Sequence, residues 1–405
     1  MPPVPPQNLH LKILQVFNQY LEPGGEEVWV DTLTSFSGSH FEVENLRFQS
    51  SAWTRKGAPT LLTQARQAWD NTRSRELLRD MVRDHSPHVL LYHNLIPVGS
   101  LGLYDEARRL ELPVVQYIHN FRPFSPSGTM WVRGQVNASA LRGNPWHEVI
   151  GGAWERSFLK TLLIASYQKK MLASGSFDVV KRWIAVSDFM RDSFIGAGFP
   201  PEKVVTLRHC WKPSLIPRAP NEPSYYLFLS RIVPEKGIHT LLDAWRLLEK
   251  RLGHSCPRLV IAGSGPLEAA VQEASHRMRR VICVGFVEGK IKNDFLTGCK
   301  ALIAPSIWWE PLGLIVHEAY DACRPVLAAA SGGLKETVIE GVTGYLHQPG
   351  DAKQLADDVE RMEELSPEQC TAMGREGRQW LLKSASQEEW MDRFTDILSD
   401  AVNEN

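Results

Sequence analysis

Short apolar runs alternate with amphipathic helical stretches along almost the whole chain, and this alternation limits the fold more tightly than any other feature. The early runs are Leu11–Phe17, His88–Tyr92, Val114–His119, Trp183–Val186 and Val204–Leu207, with helical patterns between them such as Leu61–His85 and Gly102–Leu110. Runs that are apolar on both faces suit a parallel sheet, whose crossover helices cover it on both sides. A proline-rich break follows, from Trp211-Lys212-Pro213 through Pro217, Pro220 and Pro223. The alternation then restarts with Tyr225–Leu229, Leu259–Ala262, Val281–Val284, Ala301–Pro305 and Pro325–Ala329. Helical patterns over Ala352–Leu365, Pro367–Lys383 and Gln387–Val402 close the chain. The simplest reading is an α/β protein of two doubly wound, Rossmann-like halves, residues 1–212 and 213–384, joined by a proline-rich linker.

Composition narrows the function without naming it. The 405 residues suffice for two or three cores, and 43% hydrophobic with 22% charged residues is ordinary for a globular protein. With 45 basic and 46 acidic residues the net charge is −1, so no nucleic-acid partner is expected. The six cysteines are scattered with no C-x-x-C pair, which predicts buried free thiols and no metal framework. The opening Met1-Pro2-Pro3-Val4-Pro5-Pro6 lacks a basic stretch and a long apolar one, so no signal peptide is expected. No apolar run reaches the length of a membrane span, and a cytoplasmic protein is expected. Residues 156–171 mix Leu159, Leu162, Leu163 and Ile164 with Arg156, Lys160, Lys169 and Lys170. That pattern fits a surface helix packed on the sheet, or a basic face touching the inner surface of a membrane.

Ligands of doubly wound sheets bind beyond the carboxyl ends of the strands, so the residues after each apolar run are the informative ones. After Ala301–Pro305 comes Ser306-Ile307-Trp308-Trp309-Glu310-Pro311-Leu312-Gly313-Leu314-Ile315-Val316-His317-Glu318. A helix opening near Leu314 leaves the Gly313 and Leu314 N–H groups free for a phosphate. Glu318 lies one helical turn on, and Glu310 stands just before the turn. Phosphate donors flanked by two carboxylates are what a nucleotide sugar needs, one carboxylate for the ribose hydroxyls and one for the sugar. Trp308-Trp309 reads as packing at the cleft rim, with one ring able to stack on a ligand.

Other strand ends add to this. Arg231 and Lys236, after Tyr225–Leu229, are either solvated loop charges or two cations converging on a diphosphate. Gly263-Ser264-Gly265-Pro266 lacks the third glycine of the dinucleotide fingerprint; Gly263 brings the backbone close to a ligand or makes a tight strand–helix turn. Gly332-Gly333 offers the same choice. In the first half, Gly24-Gly25 follows the first strand, and His119 follows Val114–Ile118, as a structural hydrogen-bonder or as a catalytic group facing the other domain.

Taken in order, these segments resemble the nucleotide-sugar-dependent retaining glycosyltransferases of family 4, the glycosyl transferases group 1, which have the GT-B fold. The resemblance rests on Leu229-Ser230-Arg231 with Lys236-Gly237, Ala262-Gly263-Ser264-Gly265-Pro266-Leu267, the Glu310–Glu318 stretch, Gly332-Gly333 with Glu336, and Gly344-Tyr345-Leu346. In the first half it rests on Gly24-Gly25-Glu26, Tyr117–Phe121 and Ala185–Met190. It implies that Arg231 and Lys236 bind the donor diphosphate, Glu318 the ribose, and Glu310 the sugar hydroxyls, with Gly313 and Leu314 on the phosphate. It also implies that His119 lies over the donor sugar and that Gly24-Gly25 line the cleft. A helix over 385–405 is expected to cross back onto the first domain. No metal or other cofactor is implied; a UDP- or GDP-linked sugar is the co-substrate, and saccharide, lipid-linked and small-molecule acceptors stay open. Many members of that family carry a cysteine shortly after the histidine strand, where this chain has Phe124-Ser125-Pro126-Ser127-Gly128. The alternatives are a catalytically silent nucleotide-sugar-binding subunit, and an epimerase or phosphorylase of the same fold.

Overall fold

Two six-stranded sheets, parallel throughout, carry the chain in the computed structural model, which describes residues 10–21, 24–38, 41–214 and 224–404. The first sheet uses β1 (Leu11–Gln19), β2 (Phe41–Gln49), β3 (Val89–Tyr92), β4 (Val114–Ile118), β7 (Val180–Ala185) and β8 (Val204–Thr206). A small hairpin, β5 (Trp131–Val132) and β6 (Gln135–Val136), stands apart from it. The order is β2-β1-β3-β4-β7-β8, so the chain reverses its direction of travel across the sheet at β1. The second sheet uses β9 (Tyr225–Leu229), β10 (Arg258–Ala262), β11 (Val281–Gly285), β12 (Ala301–Ala304), β13 (Val326–Ala329) and β14 (Gly344–His347), ordered β11-β10-β9-β12-β13-β14. Where such an order reverses, adjacent crossovers leave to opposite faces and open a crevice at the strand ends. One crevice therefore lies beyond β1 and β3, the other beyond β9 and β12.

The central strands are the ones with continuous apolar runs. Every residue of β3, β4, β12 and β13 is buried. Each fully buried aliphatic side chain of this kind contributes about 1.5–3 kcal/mol, the main favourable term of the fold. Of the strands in the two large sheets, those absent from the sequence reading, β2 and β14, are both edges. In β2 the apolar residues alternate, with Phe41, Val43, Leu46 and Phe48 buried and Glu42 and Arg47 exposed, as suits a strand covered on one face. The helical stretch 61–85 is two helices, Leu61–Trp69 and Thr72–His85. Asp70 is extended, and the Asn71 side chain accepts from the Arg73 N–H, capping a new helix instead of continuing the old one. Most of the proline-rich break, residues 215–223, lies outside the described residues, as does Pro23 before the Gly24 turn.

Helix Gln387–Asn403 returns to the first domain, where Trp390, Phe394 and Leu398 join its core and Phe394 packs edge-on against Phe41 at 5.5 Å. Across the cleft, Trp309 of the second domain packs on Phe121 and Phe189 of the first, at 6.0 and 5.3 Å between ring centres. Glu336 adds a polar tie: its carboxylate accepts from the Asp188 and Phe189 N–H groups at 3.0 and 2.5 Å, at the start of helix Asp188–Gly196. Arg208 Nη2 lies 2.6 Å from both Glu336 and Asp188. All six cysteines are free thiols, and four are buried. Among the described residues no helix is long and apolar enough to cross a membrane. Helix Phe158–Ala173 buries Thr161, Ile164, Ala165, Gln168 and Met171, yet leaves Leu159 75% exposed and Phe158 open to solvent.

Candidate active site at the two switch points

In the second domain, the crevice is built from charge. The turn Pro234–Lys236 aims the Lys236 ammonium at Glu310, and the Nζ lies 2.9 and 2.7 Å from the two carboxylate oxygens. Trp308 Nε1 donates to Glu310 Oε2 at 2.8 Å, and its ring lies 5.4 Å beneath Lys236. Both partners of the pair are largely desolvated, with side chains 15% and 11% exposed, so removing either one strands the other. Gly313 takes φ +84°, the left-handed region open to glycine, and caps helix Leu314–Asp321. A Cβ there would also sit 2.5 Å from Leu334 Cδ2. Glu318 reaches Lys292 Nζ at 3.1 Å, and Arg231 is exposed at the end of β9.

The other glycines of the sequence reading answer to the backbone. Gly263 has φ +149°, and a Cβ on it would lie 1.9 Å from the Ser230 carbonyl oxygen, so the strand-end turn itself requires glycine. Gly333 donates its N–H to Glu310 O at 2.7 Å and thereby fixes the backbone that carries the carboxylate.

The first-domain crevice is built from buried neutral groups. Gly24 caps helix Gly25–Ser35, and Glu27 reaches back to accept from Gly24 N at 2.8 Å and Tyr20 N at 3.0 Å. Glu26 turns the other way. Its carboxylate accepts from Asn94 N at 2.9 Å, Tyr20 Oη at 2.7 Å and Asn120 Nδ2 at 3.3 Å. Burial pushes the Glu26 carboxyl up to about 7 against those hydrogen bonds. His119 stacks on Tyr117 at 4.8 Å and shares a 2.9 Å contact, Nε2 to Nδ1, with His93. His93 N–H donates to Val16 O at 3.0 Å in the sheet, and this register sets its ring beside Gln15. Burial pushes His119 down to about 3, and drives His93 well below the usual histidine range with help from its histidine neighbour. Glu26, Asn94, His119, Asn120, Arg122 and Gln168 line a cavity here.

Among the described residues, Glu26, His93 and His119 are a group able to hold a metal, their ligand atoms lying within 4.8 Å of one another. In the loop that follows His119, Ser125 Oγ donates to the buried Glu148 Oε2 at 2.8 Å. Ser127 donates to the same oxygen from its N–H and hydroxyl.

The fold gathers most of the sequence-predicted residues onto two facing walls. Gly24, Gly25 and His119 stand on one, and Arg231, Lys236, Glu310, Gly313, Leu314 and Glu318 on the other. The walls meet where a Cβ on Gly25 would lie 3.2 Å from Leu314 Cδ1. Gly263 instead sits behind Ser230. The sequence reading overlooked Gln15, Glu26, His93 and Lys292 as site residues. A signal was present for one of them, because His93 directly follows the apolar run of β3.

Residues 215–380 match the family model described as glycosyl transferases group 1. Most of the second domain is therefore similar to the glycosyl transferases group 1. Over 139 residues the chain is 30% identical to an uncharacterised glycosyltransferase of Methanocaldococcus jannaschii, covering 34% of this chain and 35% of that protein. It is likewise 30% identical to the alpha-D-kanosaminyltransferase of Streptomyces kanamyceticus, again with 34% and 35% covered. It is 31% identical over 163 residues to a GDP-mannose-dependent alpha-(1-6)-phosphatidylinositol monomannoside mannosyltransferase of Mycobacterium tuberculosis, covering 38% and 41%. The chain thus matches little more than a third of the length of these curated relatives. The likeness in fold extends well beyond residues 215–380. The Anabaena HepE protein in complex with UDP-glucose superposes with a TM-score of 0.66 at 18% identity, over 96% of this chain and 100% of that one. Sucrose-phosphate synthase of Thermosynechococcus elongatus gives 0.70 at 16%, over 98% and 100%. With its two parallel-sheet α/β domains, the chain has the GT-B fold.

Proposed function

We propose that the chain transfers a sugar, with retention of anomeric configuration and without a metal, from a UDP- or GDP-linked donor to a hydroxyl of a saccharide, lipid-linked or small-molecule acceptor. The observation that carries this reading is the Lys236–Glu310 pair beside the helix N-terminus at Gly313, set across the cleft from the Gly24-Gly25 turn. Arg231, Lys236 and the N–H groups of Gly313 and Leu314 hold the donor diphosphate, and Glu318 holds the ribose hydroxyls. As the phosphate takes up Lys236, Glu310 is released to hold hydroxyls of the sugar. The bond between the anomeric carbon and the phosphate oxygen breaks, and negative charge collects on the leaving diphosphate. Preorganised donors aimed at such charge are worth about 3–4 kcal/mol each. The acceptor oxygen bonds to the same face of the carbon while its proton passes to a leaving phosphate oxygen. His119 lies over the sugar, and the cavity lined by Asn120, Arg122 and Gln168 takes the acceptor. One relative is a GDP-mannose-dependent mannosyltransferase and one structural neighbour is in complex with UDP-glucose, which supports the two donor types. The exposed Phe158 and Leu159, with Lys169 and Lys170 on the same helix, support contact with an anionic membrane surface.

The test follows donor turnover in the presence of a chelator by proton magnetic resonance, which resolves the anomeric signals. Transfer or slow hydrolysis whose first product keeps the donor's configuration supports the proposal. A product of inverted configuration contradicts retention, an epimerised nucleotide sugar identifies an epimerase, and binding without turnover identifies a silent subunit. Sedimentation with anionic vesicles, compared between the wild type and Leu159→Glu, checks the membrane contact.

A further inference from the structure

The buried hydrogen-bond chain behind His119 has a fixed polarity, which starts at Gln15. The two hydrogens of the Gln15 Nε2 amide are shared among three acceptors, Val30 O at 3.1 Å, Thr34 Oγ1 at 3.1 Å and Asn45 Oδ1 at 2.8 Å. A backbone carbonyl only accepts, so the Val30 contact fixes which end of the amide is nitrogen. Gln15 Oε1 therefore faces His93 Nε2, at 2.9 Å, and His93 must carry its proton on Nε2. A neutral imidazole has one N–H, so His93 Nδ1 is bare and accepts from His119 Nε2 across the 2.9 Å contact. That places the His119 proton on Nε2 and leaves its Nδ1 as a lone pair, buried and without a hydrogen-bond partner. Gln15 and His93 are themselves almost fully buried, at 0% and 1% exposure, so water does not compete for either link.

We infer that Gln15 and His93 are positioning residues that lock His119 into the neutral tautomer protonated on Nε2, so that a neutral ring faces the donor sugar. The inference rests on the proposal that His119 lies beside that sugar. Positive charge develops on the anomeric carbon as the phosphate leaves, and an imidazolium against it would oppose the reaction in a site of low dielectric. Burial of both rings works in the same direction. The pair also has its alternative in view, because with Glu26 it forms the only group able to hold a metal among the described residues. The protonated contact between the rings already uses one nitrogen of each, and a metal would have to displace that proton.

Nitrogen-15 magnetic resonance of the ring nitrogens in the full-length protein, freed of metal with a chelator, reads the tautomer independently of turnover. The expected result is a protonated Nε2 and a bare Nδ1 on His119 at neutral pH. A His119 protonated on Nδ1, or on both nitrogens, overturns the inference. In His93→Leu the lock is gone: His119 should show both tautomers, and kcat should fall about tenfold with the donor KM little changed. In His93→Asn the side-chain oxygen stands where Nδ1 was and can accept from His119, so the single tautomer and most of kcat should return. Equal losses in both variants, with the tautomer unchanged, would mean a purely structural role and overturn it. If His93→Leu fails to fold, the wild-type and His93→Asn spectra still decide. One-to-one uptake of Zn2+ that removes the proton between His93 and His119 would make the pair a metal site and overturn it as well. Turnover failing in every form while the tautomer is as expected would instead count against the proposed activity alone.

Discussion

The two crevices of this molecule lie at the same topological position in their sheets but are built from opposite materials. The one beyond β9 and β12 is charged, with Lys236 held by Glu310, Lys292 held by Glu318, and Arg231 free at the rim. The one beyond β1 and β3 is a buried array of neutral rings and amides, with Gln15, His93 and His119 in line. The difference suits a reaction in which one wall must grip a diphosphate while the other faces a carbon that turns positive. In the charged crevice Lys236 and Lys292 each already have a carboxylate partner that ligand binding can displace. In the neutral one, the protons along the line from Gln15 through His93 to His119 have assigned places before any ligand arrives.

The comparison breaks first at Lys236. Lys236→Ala strands the Glu310 carboxylate and removes a phosphate donor, so kcat/KM should drop by about a hundredfold to a thousandfold in steady-state assays. A drop of similar size in nucleotide affinity for His119→Ala would erase the distinction between the walls. Glu318→Ala should weaken nucleotide binding by about tenfold to a hundredfold, a loss of ~1.5–3 kcal/mol measured by calorimetry, and leave the transfer step itself nearly intact.

Between the walls, Glu336→Gln cuts the tie to Asp188, Phe189 and Arg208. It should cost ~1–2 kcal/mol in urea unfolding and enlarge the radius of gyration of the unliganded protein in solution scattering. An unchanged radius would mean that the aromatic contacts of Trp309 hold the cleft shut alone.

A further effect concerns pH. Burial raises the Glu26 carboxyl from its ordinary 4.5 to about 7, so the folded protein binds this proton more tightly than the unfolded chain does. Its contribution to stability is complete below about pH 4.5 and is lost as pH rises through 7. Glu26→Gln should flatten that part of the curve when urea midpoints are compared from pH 5 to 8. Curves that stay parallel would place Glu26 in a more solvated setting than the crevice described here.

The same contrast explains what the sequence could convey. The charged crevice is written in continuous stretches, because Glu310, Gly313, Leu314 and Glu318 share one turn and one helix, and Arg231 and Lys236 share one loop. Their spacing alone places them on a strand end and a helix N-terminus. The central strands were equally legible, since burial on both faces leaves an unbroken apolar run. The edge strand β2 was not, because one face meets solvent and the run dissolves into alternation, and β14 is only four residues long and opens on a glycine. The neutral crevice was hardest to see. Gln15 lies inside β1, His93 after β3 and His119 after β4, and only the register of three parallel strands brings them into contact. A buried glutamine in an apolar strand carries no local mark of its purpose.

Calorimetric titration of UDP and of GDP into the wild type, Lys236→Ala and His119→Ala, all with a chelator present, tests the division of labour between the walls most directly. At least one nucleotide should bind the wild type and His119→Ala with closely similar affinity, and should bind Lys236→Ala at least tenfold more weakly. Binding that requires added metal, or that weakens as much in His119→Ala as in Lys236→Ala, would contradict the account.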